Sequence, residues 1–143
     1  MDKKELQYIA VVISMSFVVI IFLIFMFWWV YPYKTVEVKS QPYIVEQSPV
    51  KQGENLIYVV DYCKYTKVVP IVHKQFIDGI IYSVPESNVN LPIGCQKIRV
   101  SVRVPENLPP DANYRLKVHT AFQVNPIRII TNEYETEEFS VIK

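Results

Sequence analysis

The sequence predicts an N-terminal transmembrane α-helix followed by an all-β domain, an antiparallel β-sandwich of about seven strands. Three observations lead to this fold class. The segment Ile9–Val30 is apolar apart from two serines, and no charged side chain occurs between Glu5 and Lys34. Beyond Lys34 the sequence alternates apolar and polar residues with a period of two, as half-buried antiparallel strands do. Turn-forming residues separate these segments at short intervals.

The apolar segment is long enough to cross a bilayer. Its residues would form a helix about 33 Å long, against a hydrocarbon core of about 30 Å. Aromatic rings and a cation follow it, an arrangement typical of the membrane–water interface. The predicted interface residues are Trp28, Trp29, Tyr31, Tyr33 and Lys34. We therefore divide the chain into a short tail (1–6), a transmembrane helix that acts as a signal anchor (7–33) and a β domain (34–143).

Two other interpretations of this segment are weaker. A buried core helix would need a larger core than a chain of 143 residues can form. A cleaved signal peptide has a shorter apolar region and a small-residue cleavage site, whereas this segment ends in bulky aromatic residues. Positive charges are nearly balanced across the segment, with Lys3 and Lys4 before it and Lys34 and Lys39 after it. Because the leading tail is short, we expect a cytoplasmic N-terminus and an extracytoplasmic β domain.

The strands follow in order along the domain. Thr35–Val38 and Tyr43–Val45 predict a broken first strand, and Asn55–Tyr65, apolar on both faces, predicts a central one. Pro70 places the start of the next strand at an edge or bulge, and Asp78-Gly79 predicts a tight hairpin turn. The clearest alternation occurs in Lys97–Val104 and Tyr114–Phe122; the last strand is predicted in two pieces, Ile127–Thr131 and Tyr134–Val141. A short barrel is the alternative to a sandwich.

Two stretches resemble an immunoglobulin-like domain. "SPVKQGENLIYVVDYC" is similar to the corner before strand B, and "PENLPPDANYRLKV" to the turn that leads into strand F. The resemblance implies that Tyr114 forms a tyrosine corner, its hydroxyl bonded back to the turn backbone. The Cys–Trp–Cys core of the family is absent, since no Trp occurs after Trp29.

Two cysteines, Cys63 and Cys95, are predicted to form one disulfide, because an even pair on the outer side of a membrane has an oxidising environment. The resemblance implies that strands B and E pair, which would place this disulfide within one sheet.

The segment "YRLKVHTAFQVNPIRIITNEYETEEFSVI" resembles the C-terminal end of small bacteriophage-encoded single-pass membrane proteins. The shared features are a strand, a Phe-x-Val-Asn-Pro-x-Arg turn and a closing Phe-x-Val strand. In this chain the turn residues are Asn125, Pro126 and Arg128. The physical interpretation is a tight loop in which Arg128 bonds to neighbouring carbonyl groups. The resemblance implies a viral origin.

The sequence predicts no catalytic residue, metal site, cofactor or small-molecule substrate. Its two histidines, His73 and His119, lack the partners of a catalytic site, and three glycines are too few for a phosphate-binding loop. The β domain holds 13 basic and 12 acidic side chains, so it has no charge excess for binding nucleic acid.

Four acidic residues lie along the last strand: Glu133, Glu135, Glu137 and Glu138. The simpler interpretation is a solvated edge strand, whose charge deters pairing with other chains. The more specific interpretation is an acidic surface that binds a basic protein partner.

These observations favour a non-enzymatic, membrane-anchored protein with a structural or adaptor role. We expect it to contact the lipid bilayer and another membrane, capsid or envelope protein, or a second copy of itself. We expect the protein to act in a virion membrane or in a phage-modified host envelope. The alternative is that it is a subunit of a bacterial envelope or secretion assembly. A lytic enzyme would need a catalytic dyad that the sequence does not contain.

Overall fold

A computed structural model describes residues 2–31 and 34–143, and Tyr33 lies outside them. The helix, α1, spans Lys3–Val30, and none of its residues is buried. It begins at Lys3, within the predicted tail, because Asp2 and Glu5 form a helix start: the Asp2 backbone amide donates a hydrogen bond to the Glu5 carboxylate (3.0 Å). Hydropathy alone does not detect this charged first turn.

The helix is long and apolar enough to cross a membrane, a property that signal sequences share. Its two serines are satisfied internally, since Ser14 and Ser16 donate to the carbonyl groups of Ala10 and Val12, both at 2.9 Å. Bonds of this kind let hydroxyl groups lie in an apolar environment without a polar partner outside the helix.

Ten strands follow in the part of the chain that the structure describes. They are β1 (Val36–Val38), β2 (Ile44–Val45), β3 (Val50–Lys51), β4 (Asn55–Lys64), β5 (Ile71–Asp78), β6 (Ile80–Asn88), β7 (Gly94–Arg103), β8 (Ala112–Asn125), β9 (Arg128–Glu135) and β10 (Phe139–Ile142). In the smaller sheet, β4 pairs with β7 on one side and with β1 and β2 on the other. The larger sheet has the order β3-β10-β8-β5-β6, and β9 also pairs with β8.

The core lies between the two sheets. Buried and less buried positions alternate along β4 and β8, so each strand gives one face to the core. The outward face of β8 carries Arg115 and Lys117, as the sequence predicts, whereas β4 is apolar on both faces, since Ile57 and Val59 lie on its outward face. The buried side chains of these two strands include Leu56, Tyr58, Val60, Tyr62, Tyr114, Leu116, Val118 and Phe122. A two-sheet β domain after an apolar helix is therefore confirmed. The larger sheet is curled into a half-barrel, which the sequence pattern does not predict.

Tyr43 joins the two sheets and explains where the last strand is interrupted. It forms a parallel bridge with Thr136 in the larger sheet, and the residues after it pair with β4 in the smaller one. Its amide donates to Glu135 and its carbonyl accepts from Glu137, both at 2.9 Å. Tyr43 thus pairs with main-chain groups of residues 135–137, and this pairing interrupts the strand between β9 and β10. The predicted break, before Tyr134, is wrong.

The disulfide lies within the smaller sheet, as the resemblance implied. Cys63 and Cys95 face each other directly in the β4–β7 pairing and are bonded, with Cα atoms 3.9 Å apart. On the opposite side of the core, the Tyr114 hydroxyl donates to the Pro109 carbonyl (2.9 Å) in the turn before β8. The disulfide joins two segments that are 32 residues apart in the sequence, whereas the tyrosine bond closes a local turn.

Candidate functional site

The end of α1 meets the turn between β8 and β9. The side-chain amide of Asn125 donates to the carbonyl groups of Trp28 (2.5 Å) and Tyr31 (3.2 Å). The Arg128 guanidinium donates to the Trp29 carbonyl (2.6 Å). We call this contact between the β8–β9 turn and the helix end the junction. It joins the apolar helix to the β domain through side-chain bonds to the helix backbone.

Local chemistry explains why this turn fits a helix end. The Asn125 side-chain oxygen accepts a bond from the Ile127 amide (3.1 Å), which folds the turn and leaves the NH₂ group free to point outward. The last carbonyl groups of a helix have no partner within it and carry partial negative charge. An amide NH₂ group and a guanidinium are matched donors for them. Arg128 makes the carbonyl contact expected of it, and the carbonyl belongs to the helix.

Aromatic and basic side chains surround the junction. Trp28, Tyr31 and the loop residues 65–68 line a cleft beside it. Lys34 pairs with Glu37 at 3.3 Å, and the Tyr65 hydroxyl donates to the same carboxylate at 3.0 Å. The hydrogen bond from Tyr65, followed by the one from Lys34, lowers the pKa of Glu37. The predicted interface residues Trp28, Trp29 and Tyr31 thus lie at the junction. Lys34 follows them and pairs with Glu37.

Exposed apolar side chains occur at the same end of the domain. Val69 and Ile71 lie at the start of β5, and Ile127 and Ile129 lie in and after the β8–β9 turn. An exposed apolar group next to a membrane-length helix is typical of a surface that contacts the lipid interface.

The four acidic residues of the predicted last strand, two of which lie between β9 and β10, all have partners. Glu133 pairs with Lys117 and lies 3.5 Å from His119; Glu135 also lies 3.8 Å from Lys117. Glu138 lies 3.6 Å from Arg115 on the same sheet. Glu137 accepts a hydrogen bond from the Val45 amide at 2.8 Å. The row of acids is therefore largely neutralised by β8, which favours the solvated-strand interpretation over an acidic docking surface.

These contacts also affect titration on the outer face of the larger sheet. The hydrogen bond from Lys117 lowers the pKa of Glu133, and the same bond raises the pKa of Lys117. The two groups stay charged over a wider pH range than isolated ones would.

The two histidines face each other across β5 and β8. His73 lies 3.6 Å from Glu86, and His119 lies beside Glu133. Within residues 2–31 and 34–143, no three His, Cys, Asp or Glu side chains are grouped so that they could hold a metal ion.

Comparisons with known proteins give little similarity. No family model matches the chain, and no curated protein matches it. Among solved structures, it is similar to the sporulation control protein Spo0M from Bacillus subtilis, with 12% sequence identity and a TM-score of 0.43. The match covers 77% of this chain and 50% of the Spo0M chain, so this chain spans about half of that protein. The similarity is too low to carry any statement about function.

Two further features were missed in the sequence. Ile80 and Ile81, at the tip of the β5–β6 hairpin, are 62% and 60% exposed, at the end of the domain opposite the junction. Lys74 occupies an inward position of β5 between Val72 and Phe76 and is only 8% exposed. The sequence did indicate that Lys74 lies on the inward face, because "VHKQF" places it in alternation with two apolar residues. Its neighbours His73 and Gln75 are also polar, however, so the inward and outward faces of this segment could not be told apart.

Proposed function

We propose that this chain is a non-enzymatic, single-pass membrane protein that holds a β domain at the membrane surface, where the domain binds another protein. The observation that carries the proposal is the junction. Three side-chain hydrogen bonds, from Asn125 and Arg128, join the end of a membrane-length helix to the domain. A cleaved leader would have no use for such bonds, whereas a permanent anchor that orients its domain needs them.

Exposure of the helix supports insertion into lipid. Almost all of its large apolar side chains are exposed, and none is buried against the β domain. Leaving so many apolar side chains in water would be unfavourable by about 25 cal/mol for each Å² of apolar surface. We infer that the N-terminus is cytoplasmic and that the domain is extracytoplasmic or on a virion membrane.

Strand order supports an immunoglobulin-like architecture for the domain. One sheet has β4 between β7 and the initial strands, and the other has β8 between β5 and the final strands. The hydroxyl bond from Tyr114 to Pro109 is of the kind that a tyrosine corner makes, which supports this architecture. Domains of this kind serve widely as binding modules, although fold alone does not identify a partner.

The exposed end of the β5–β6 hairpin favours a protein partner. Ile80 and Ile81 are adjacent, and β6 pairs only with β5 among the described strands, so its outer edge is open. The unpaired main-chain groups of an open edge can accept an added strand from another protein, and exposed apolar side chains beside the edge can contact it. A membrane, capsid or envelope protein, or a second copy of this chain, would meet this end of the domain first because it lies opposite the junction.

The setting of this partner remains a prediction with two alternatives. A virion or phage-modified envelope predicts stoichiometric recovery of the chain with purified particles and loss on delipidation. A bacterial envelope or secretion assembly predicts recovery of the same complex from uninfected cells.

The membrane role is tested by alkaline carbonate extraction of membranes, combined with the intact mass of the mature chain. We expect the full mass in the pellet, and protease access to the β domain only from outside. A chain recovered without residues 3–30, or released by carbonate, would overturn the proposal.

The partner surface is tested by a photoactivatable amino acid at position 81 of the full chain, in native membranes or particles. The matched control carries it at Asn107, which is exposed in the turn at the same end of the domain. We expect one discrete crosslinked product from position 81 and none from position 107. Equal labelling from both positions would contradict docking at the hairpin.

A further inference from the structure

The strand β7 is a long edge strand with regular pairing. Its ten residues, Gly94–Arg103, pair with β4 without a register shift, and β7 pairs with no other strand among those the structure describes. The open edge of β6 differs, because it contains Pro85 and its pairing with β5 shifts register between Val72 and Lys74. A proline and a bulge both hinder the addition of a strand. The edge of β7 is therefore the longer regular template.

Main-chain hydrogen bonds show which groups of β7 face the open edge. Val104, directly after β7, donates its amide hydrogen to the Glu54 carbonyl at 2.8 Å, so its main-chain groups face the segment of β4. The Ile57 carbonyl, which lies opposite Ser101, accepts a bond on the far side of β4. Because main-chain groups alternate in direction along an antiparallel strand, every second residue of β7 has its amide and carbonyl at the open edge. We call these the edge residues: Cys95, Lys97, Arg99, Ser101 and Arg103.

The side chains of the edge residues are rich in positive charge. Lys97, Arg99 and Arg103 are exposed on the outward face of the sheet. Arg99 pairs with Glu46 at 2.6 Å and Arg103 with Glu106 at 2.9 Å, whereas Lys97 forms no ion pair with a described residue. Exposed pairs of this kind are weak, and a guanidinium has five donors, so both arginines can accept a further carboxylate.

The opposite face of β7 leaves apolar surface uncovered beside the same edge. Val102 is buried in the core, but Ile98 and Val100 are only half-buried, although they pack against the core. Inward apolar side chains of a central strand are normally covered by a strand on each side. An added strand would cover Ile98 and Val100 if its inward side chains were also apolar.

Together these features define the sequence of a matching strand. We propose that the edge of β7 binds an extended segment of another protein, in which acidic and apolar residues alternate, as an added antiparallel strand. Side chains of directly opposite residues lie on the same face, so the acids would lie beside Lys97, Arg99 and Arg103. A second copy of β7 is disfavoured there, because its cations would meet like charges. This surface is additional to the β5–β6 hairpin and does not depend on the membrane role.

The charge pattern is tested with capped synthetic peptides and the full chain in phosphatidylcholine nanodiscs. A peptide that alternates Glu and Val, about nine residues long, spans the edge residues. We expect saturable binding by fluorescence anisotropy, and at least about tenfold weaker binding when Lys replaces every Glu. No binding of the Glu–Val peptide above empty nanodiscs, or equal binding of both peptides, would overturn the proposal.

The main-chain pairing is tested with two N-methylated forms of the Glu–Val peptide. In the proposed register the amides of the Glu residues face β7, and those of the Val residues face away. N-methylation of the Glu residues should therefore abolish binding, while the same number of methyl groups on the Val residues should leave most of it. Loss with the second peptide instead, or with neither, would overturn the proposed pairing.

Hydrogen exchange in the full chain locates the bound peptide. We expect the amides of Lys97, Arg99 and Ser101 to exchange severalfold more slowly when the Glu–Val peptide is bound. The amides of Ile98 and Val100 already face β4, so their exchange should change little. Unchanged exchange at all five positions, with the peptide bound, would place it elsewhere and overturn the proposal.

The role of the edge charge is tested with Lys97→Gln, which leaves no like charge against Asp61, its opposite residue in β4. We expect the Glu–Val peptide to bind this variant severalfold more weakly. The matched control is Lys51→Gln, an exposed lysine of the other sheet, which should bind as the wild type does. Equal affinities of the two variants would contradict a contribution from Lys97.

Two further measurements separate this surface from other occupants. Ile81→Ser, at the tip of the β5–β6 hairpin, should leave binding of the Glu–Val peptide unchanged; loss of binding would place the peptide at the hairpin and overturn the proposal. A photoactivatable amino acid at position 101 should crosslink to the Glu–Val peptide. Crosslinks only between two copies of this chain would indicate self-pairing and overturn the proposal as well.

Discussion

The side-chain amide of Asn125 donates a hydrogen bond to the main-chain carbonyl of Trp28, 97 residues earlier in the chain, at 2.5 Å. With the bond from Arg128 to Trp29, it attaches the turn of the longest hairpin to the end of the apolar helix. Two attachment points restrict rotation as well as separation. The junction therefore determines which end of the domain lies near a membrane and which end points away.

Replacement of Asn125 by alanine should loosen the junction without unfolding the domain. The Ile127 amide loses its acceptor in the same substitution, since it donates to the Asn125 side chain. We expect hydrogen exchange at Ile127 to become severalfold faster, and the free energy of unfolding to fall by about 1 kcal/mol, the value of a typical hydrogen bond.

The matched control is Gln123→Ala, an exposed position on the same strand. Both variants would be compared in nanodiscs by hydrogen exchange and by spin-label distances from the domain to the lipid headgroups. Asn125→Ala should broaden the distance distribution and Gln123→Ala should not. Identical distributions in the two variants would show that the junction does not orient the domain.

Loss of the disulfide should destabilise the domain strongly. Cys63 and Cys95 are 32 residues apart in sequence, and closing a loop of that size contributes about 3–4 kcal/mol on the chain-entropy account. We expect a decrease of this size in the Cys63→Ala/Cys95→Ala double variant, measured by urea unfolding of the full chain. Reductant should destabilise the wild type by a similar amount and leave the double variant unchanged. A wild type insensitive to reductant, with thiols that react with a maleimide, would show that the pair is reduced.

The local sequence pattern was sufficient to predict the helix, the alternating strands and the Cys63–Cys95 disulfide. Each depends on neighbours in sequence, or on strand pairing that a fold-level resemblance supplies. The helix also includes a polar first turn, which hydropathy does not register. The junction was foreseen only in part: the sequence indicated that Arg128 bonds to carbonyl groups, but nothing local could show that they belong to the helix.

Features that depend on long-range geometry were not predictable. The break in the last strand is set by Tyr43, from a segment nearly a hundred residues away, and no property of residues 132–138 reports it. The charges of Glu133 and Glu138 looked available for a partner because their neutralising residues lie on β8. Lys74 shows the same limit, since its burial depends on how the second sheet closes over β5.

Tyr114→Phe should remove one hydrogen bond while keeping the buried ring. The Pro109 carbonyl would lose its donor, and we expect the free energy of unfolding to fall by about 1–2 kcal/mol. Tyr82→Phe is the matched control, because its ring lies against Tyr114, with centroids 6.3 Å apart, and its hydroxyl bonds to no described residue. Urea unfolding measures both. Equal losses in the two variants would contradict a stabilising tyrosine corner.

Lys74 should give the stability of the domain a measurable pH dependence. Burial lowers the pKa of its amine, whereas in the unfolded chain the pKa is about 10.4. Between these two values the unfolded state binds more protons than the folded state. The free energy of unfolding therefore rises with pH in this window, by at most about 1.4 kcal/mol per pH unit for one proton. Below the lowered pKa the contribution is flat, and Lys74 destabilises the fold most.

Lys74→Met removes this dependence, and the difference between variant and wild type isolates it. Tyr43, Tyr58 and Tyr134, which are buried in the core, also have raised pKa values and reduce stability above about pH 10, but they are present in both proteins. We expect Lys74→Met to be more stable at neutral pH, with the two stability curves converging as pH approaches 10. Urea unfolding between pH 6 and 10 measures the difference. Parallel curves would mean that the Lys74 amine keeps its ordinary pKa and is hydrated in the folded protein.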